Sequence, residues 1–118
     1  MDGNFSRSEP KSSAGPIDHA HLDRYTLGNR ELEIEVLGLF AGQAPATLEG
    51  LRTATCDRSW HMAAHTLKGS ARAVGAWSIA AIAEDAERAG FASPEREVYL
   101  TRLREAIAQT AAYIGELA

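Results

Sequence analysis

The sequence predicts an all-α fold, an up-and-down four-helix bundle with a short additional N-terminal helix. Three observations predict it. From Arg30 to Leu117 apolar residues recur at spacings of three and four, with no strand-like alternation and no internal repeat. Breaks fall at Leu27-Gly28-Asn29, at Thr53 to Cys56, at Gly75 and at Gly90 to Pro94. The 118 residues, 45% of them apolar, suffice for one domain around a single core.

Residues 1–16 are rich in Ser, Gly, Pro and charge, with Phe5 the only large apolar side chain, and are expected to form a disordered tail. The bundle is expected to fill residues 17–118. Asp18 reads as an N-cap, with Ile17 and Leu22 spaced as a hydrophobic staple. This first helix ends where Gly28 and Asn29 suit a left-handed cap. The second starts near Asn29 or Arg30 and places Leu32, Val36, Leu39 and Phe40 on one face, widened by Leu37. Pro45 removes one hydrogen bond and crowds the carbonyl of Ala41, but Thr47, Leu48 and Leu51 resume the spacing, so a kink is expected rather than a stop.

Asp57 is expected to cap the third helix, which runs to Gly75. Trp77 opens the fourth, with a stripe of Ile79, Ile82, Ala83 and Ala86 that stops at Gly90. Ser93-Pro94-Glu95 restarts the chain as N-cap, first-position proline and first-turn acid. The last helix repeats Leu100, Leu103, Ile107, Thr110, Ile114 and Leu117.

Composition narrows the function classes. A net charge of −4 argues against nucleic acid as a partner. The single cysteine, Cys56, rules out an internal disulfide and fits a reducing compartment. No run approaches the length of a membrane span, and the N-terminus lacks the apolar core of a signal peptide, so a cytoplasmic location is expected.

The third helix carries the unusual surface. With His65 at zero and about 100° per residue, Trp60, Ala63, Leu67, Ala71 and Val74 fall on the opposite side and are expected to be buried. Arg58, His61, Lys68, Gly69 and Arg72 fall within about 60° of His65, facing solvent. Lys68 is the only lysine after Lys11. Gly69 costs about 1 kcal/mol against alanine inside a helix and carries no turn signal. Close approach by a partner is one reason to keep it. Histidine is among the few side chains able to take a phosphoryl group covalently at neutral pH, and Lys68 at i+3 is placed to pair with the resulting anion.

His65-Thr-Leu-Lys68-Gly69-Ser70, followed by Gly75-Ala76, resembles the signature of histidine-containing phosphotransfer (HPt) domains, over roughly residues 17–117. In that family the histidine accepts a phosphoryl group from an aspartyl phosphate on a receiver domain and passes it to another receiver. The resemblance implies that His65 is the acceptor, Lys68 its charge partner and Gly69 the access residue. Arg58, His61, Met62 and Arg72 would contribute the docking surface. The implied partners of this monomer are response-regulator receiver domains and a sensor or hybrid histidine kinase. No cofactor of its own is implied, since Mg²⁺ would sit on the receiver.

Such a chain has no Gly-rich phosphate loop, so it is not expected to bind ATP or to phosphorylate itself. Three cations and a second imidazole around His65 are expected to favour its neutral, nucleophilic form. Three other readings stay open. The cluster is a solvated surface without chemistry, or the bundle docks receivers without turning over. In the third, His61 and His65, spaced i and i+4, ligate a metal. Against that reading, Met-Ala-Ala separates them where a zinc protease has a glutamate, no third ligand is evident, and Lys68 repels a cation. No metal is therefore expected.

Overall fold

The computed structural model describes residues 15–118; the expected tail therefore lies, over residues 1–14, outside the described residues. Five helices follow in order: α1 (His19–Thr26), α2 (Arg30–Arg52), α3 (Asp57–Val74), α4 (Trp77–Ala89) and α5 (Arg96–Leu117). No strand occurs among the described residues. Helices α2 to α5 form a closed ring: α3 packs on α2 and α4, α5 packs on α2 and α4, and the backbones of the two diagonal pairs stay apart. Short loops between consecutive helices enforce this up-and-down order. Helix α1 lies across one end, against α2 and α3.

The core is one cluster, to which Ile17, Leu22, Leu37, Leu51, Trp60, Leu67, Ile79 and Leu103 contribute the largest fully buried side chains. Helix α1 is pinned to it by the expected cap. Asp18 accepts the backbone N–H of His21 at 3.2 Å and the indole N–H of Trp77 at 2.9 Å, and donates its own N–H to the carbonyl of Gly75. The Trp77 bond, with the backbone bond behind it, holds the Asp18 carboxyl below its ordinary range, against the opposing effect of burial. Gly75 ends α3 at φ +78°, and a Cβ there would sit 2.9 Å from the Asp18 carbonyl oxygen. Both facts require glycine.

Several local expectations need correction. The left-handed residues after α1 are Leu27 (φ 55°) and Gly28, while Asn29 instead caps α2 through a bond from Leu32 N–H. The buried face of α2 is Leu37, Phe40, Ala44 and Leu51; Leu32 and Leu39 are exposed and Val36 is partly buried. The expected stripe was centred too far toward Leu32, because the leucines of that amphipathic helix spread over more than its buried side. Helix α2 continues through Pro45. Cys56, not Asp57, caps α3. The carboxylate of Asp57 instead accepts the backbone N–H of Phe91 at 3.1 Å, tying the α4–α5 loop to the start of α3. Ser93 heads a turn, and α5 begins three residues later, at Arg96.

Candidate functional site

Helix α3 starts with a reciprocal cap between Cys56 and Ser59. The Ser59 hydroxyl draws the exposed Cys56 thiol below its ordinary range. The helix buries Trp60, Ala64, Leu67, Ala71 and Val74. Ala63, expected among them, is only partly buried, and Ala64 takes its place. The buried stripe is thus rotated slightly toward α4. On α4, Ala80, Ala83 and Ala86 are buried, and small side chains let neighbouring helices approach closely. The outward edge of α4 is thereby set against the His65 face of α3.

Glu87 occupies that edge, and the side chains of the site converge on it. Its Oε1 accepts Lys68 Nζ at 2.7 Å. Its Oε2 lies 3.3 Å from Nδ1 of His65 and 3.2 Å from Nε2 of His61. The two imidazoles stack with planes 10° apart. Glu87 is largely covered, with 12% of its side chain exposed, whereas His65 is 66% exposed. The hydrogen bond from the Lys68 ammonium holds the Glu87 carboxyl below the ordinary carboxylate range, outweighing the effect of burial, and both imidazoles add to it. An ionised carboxylate only accepts, so the His65 nitrogen facing it carries the proton. The lone pair of a neutral His65 is then on Nε2.

Lys68 is less exposed than its place on the helix wheel implied, at 16% of its side chain, because Glu87 draws it inward. Arg72 pairs with Glu84 of α4 at 3.5 Å. The cations expected to surround His65 unopposed are therefore partly compensated by two carboxylates. Arg58 and Met62 are exposed on the same helix. Among the described residues, a Cβ built at Gly69 meets nothing within 4 Å, so no packing among them demands glycine there.

Sequence reasoning missed Glu87. One signal was present: Ala80, Ala83 and Glu87 continue a spacing of three and four, which puts an acid at the edge of an apolar stripe. Glu87 also changes the metal question. One ligand atom from each of His61, His65 and Glu87 lies within 4.8 Å of the others, so the third ligand that the helix itself lacks comes from α4.

His19 and His21 serve the bundle end. His19 Nε2 lies 2.6 Å from the hydroxyl of Tyr113, and His21 packs edge-on against Trp77. No helix among the described residues is long and apolar enough to cross a membrane.

No curated protein and no solved structure matches the chain. Residues 35–113 do match a family model, that of the Hpt domain, and these residues include α3, α4 and the whole His65–Glu87 cluster. An all-α bundle, an exposed histidine on its third helix and a match over two thirds of the sequence agree, and the chain belongs to the Hpt domain family.

Proposed function

We propose that the protein is a phosphorelay intermediate in which His65 accepts a phosphoryl group from a receiver-domain aspartyl phosphate and passes it to a second receiver. Membership of the Hpt family implies histidine phosphotransfer in two-component signalling, by a carrier rather than a kinase. The observation that carries the finer reading is the orientation of His65. Its Nδ1 faces Glu87, while the ring is two-thirds exposed, leaving Nε2 as the nucleophile.

The Nε2 lone pair attacks phosphorus, the P–O bond to the aspartate breaks, and the carboxylate leaves with the bonding electrons. The Nδ1 proton stays on the ring, where Glu87 stabilises the developing imidazolium much as a triad aspartate does. Phosphoryl transfer depends mainly on positioning and charge neutralisation, and the receiver would supply the aspartate and Mg²⁺. Lys68 then shares its ammonium between Glu87 and the new phosphoryl oxygens. Gly69 leaves room for the receiver, and Arg58, His61, Met62 and Arg72 form the surface on which it docks. A sensor or hybrid histidine kinase would stand upstream, and the carrier acts as a monomer.

Mixing the chain with a phosphorylated receiver tests this reading. The expected product is acid-labile, base-stable phosphate on the protein, lost in His65→Gln. Persistence of that phosphate in the variant would refute the assignment. A chain that binds receivers but never becomes phosphorylated would be an adaptor.

A further inference from the structure

We infer that His61, His65 and Glu87 form a binding site for Zn²⁺, and that the metal silences the phosphoryl acceptor by reversing the tautomer of His65. Three observations support the site. The ligand types, two imidazoles and a carboxylate, are those that Zn²⁺ favours when coordination positions are left open to solvent. Next, two of the three ligand spacings fit, and the third, between the two imidazole nitrogens, is within 4.8 Å, so the near-parallel rings turn to bind. Tetrahedral Zn²⁺ with bonds of about 2.0–2.1 Å sets its ligand atoms about 3.3–3.4 Å apart. Nε2 of His61 and Nδ1 of His65 stand 3.2 and 3.3 Å from the same Glu87 oxygen. Finally, the site has a supporting shell. Lys68 holds the other oxygen of Glu87 at 2.7 Å, and ligating carboxylates are commonly fixed by such outer bonds. The ammonium also repels the ion, which keeps the affinity moderate.

Metal binding needs a lone pair on the nitrogen it uses. At His65 that nitrogen is Nδ1, which without metal carries the proton donated to Glu87. Coordination displaces this proton to solvent, and a proton returns to Nε2 to keep the ring neutral. The Nε2 lone pair that would attack phosphorus is thereby consumed. Zn²⁺ and a phosphoryl donor thus compete for opposite tautomers of one ring, even where they do not meet in space. The silencing rests on the proposed role of His65; the binding does not.

Calorimetric titration of the full chain with zinc chloride, in a non-chelating buffer at neutral pH, reads the binding alone. One ion per chain is expected, with the affinity of His61→Ala and of Glu87→Gln each lower by at least about tenfold. Cys56→Ser should bind as the wild type does. No binding, affinity unchanged in either site variant, or loss of binding in Cys56→Ser would overturn the site. Circular dichroism of the variants checks that each is folded. Nitrogen-15 spectra of the imidazoles read the second half: Nε2 of His65 should change from bare to protonated as Zn²⁺ is added. A spectrum in which Nε2 stays bare with the metal bound would overturn the tautomer reversal. Zn²⁺ should slow phosphoryl acceptance in the wild type and not, at the same concentration, in His61→Ala, each rate being compared with that variant's own metal-free rate. Binding without any phosphoryl acceptance, with or without metal, would refute the relay reading and leave the site standing.

Discussion

Replacing Gly69 with glutamine should move stability and activity in opposite directions. A Cβ at this position meets nothing within 4 Å among the described residues, so the new side chain grows outward and does not overpack the bundle. The backbone is ordinary α-helix, and removing a mid-helix glycine is worth about 0.5–1 kcal/mol. For a domain of this size that raises the melting temperature by roughly 2–6 °C. The side chain also stands one turn beyond His65, about 5–6 Å away between Cβ atoms, in the path proposed for an approaching receiver. Displacing reacting atoms by about 1 Å costs on the order of a hundredfold in rate, and a glutamine holds a partner off by more than that. Gly69→Ala should gain at least as much stability, with a smaller loss of rate. Gly115, also open to solvent, sits on α5, diagonally across the ring from α3, and Gly115→Gln should leave transfer unchanged. Thermal melts and the rate of phosphate uptake from a labelled receiver measure both quantities on each variant. A destabilised Gly69→Gln, or a stable one that transfers at the wild-type rate, refutes the access argument.

Other perturbations separate core from site. His65→Gln should abolish phosphate uptake and shift the melting temperature little, since the ring is two-thirds exposed; a large loss of stability would contradict that placement. Leu67 is fully buried, and Leu67→Ala should cost roughly 2–5 kcal/mol in urea unfolding. Gly75→Ala should destabilise as well, because the left-handed φ and the 2.9 Å approach to Asp18 both resist a Cβ. The folded chain holds the Glu87 carboxyl below its unfolded value, so its stabilising contribution is complete above about pH 4.3. That contribution is lost as pH falls through the lower folded value. The stabilities of wild type and Glu87→Gln should therefore differ at neutral pH and converge in acid; a constant difference would show that charge is not involved.

The helix order and most of the core were legible because apolar spacing and breakers agree along the chain. Asp18, Gly75, Gly90 and the paired Trp60 and Leu67 stand where their neighbours in sequence put them. Expectations slipped where apolar residues outnumber buried positions, as with Leu32 and Leu39 on α2, or where two polar groups compete for one task. Asp57 is a good cap by type, yet the fold uses it on Phe91 and leaves the cap to Cys56. The histidine, lysine and glycine of the site lie within one turn or so and could be read together. Glu87 lies 22 residues from His65, and only the closeness of α3 and α4 brings it there.

The bond between the indole N–H of Trp60 and the carbonyl of Ala86, 2.8 Å and buried, has a bearing on the surface above it. Trp60 directly precedes His61, and Ala86 directly precedes Glu87. One clasp in the interior therefore fixes the sliding register of the two helices at the point where imidazole meets carboxylate. A slip of one residue along α4 would replace Glu87 with Arg88 or Ala86 and leave the imidazoles without an acceptor. The alignment of His65 with Glu87 is thus held from below, by buried groups, and a receiver docking as proposed would press on this face without reaching what orients it.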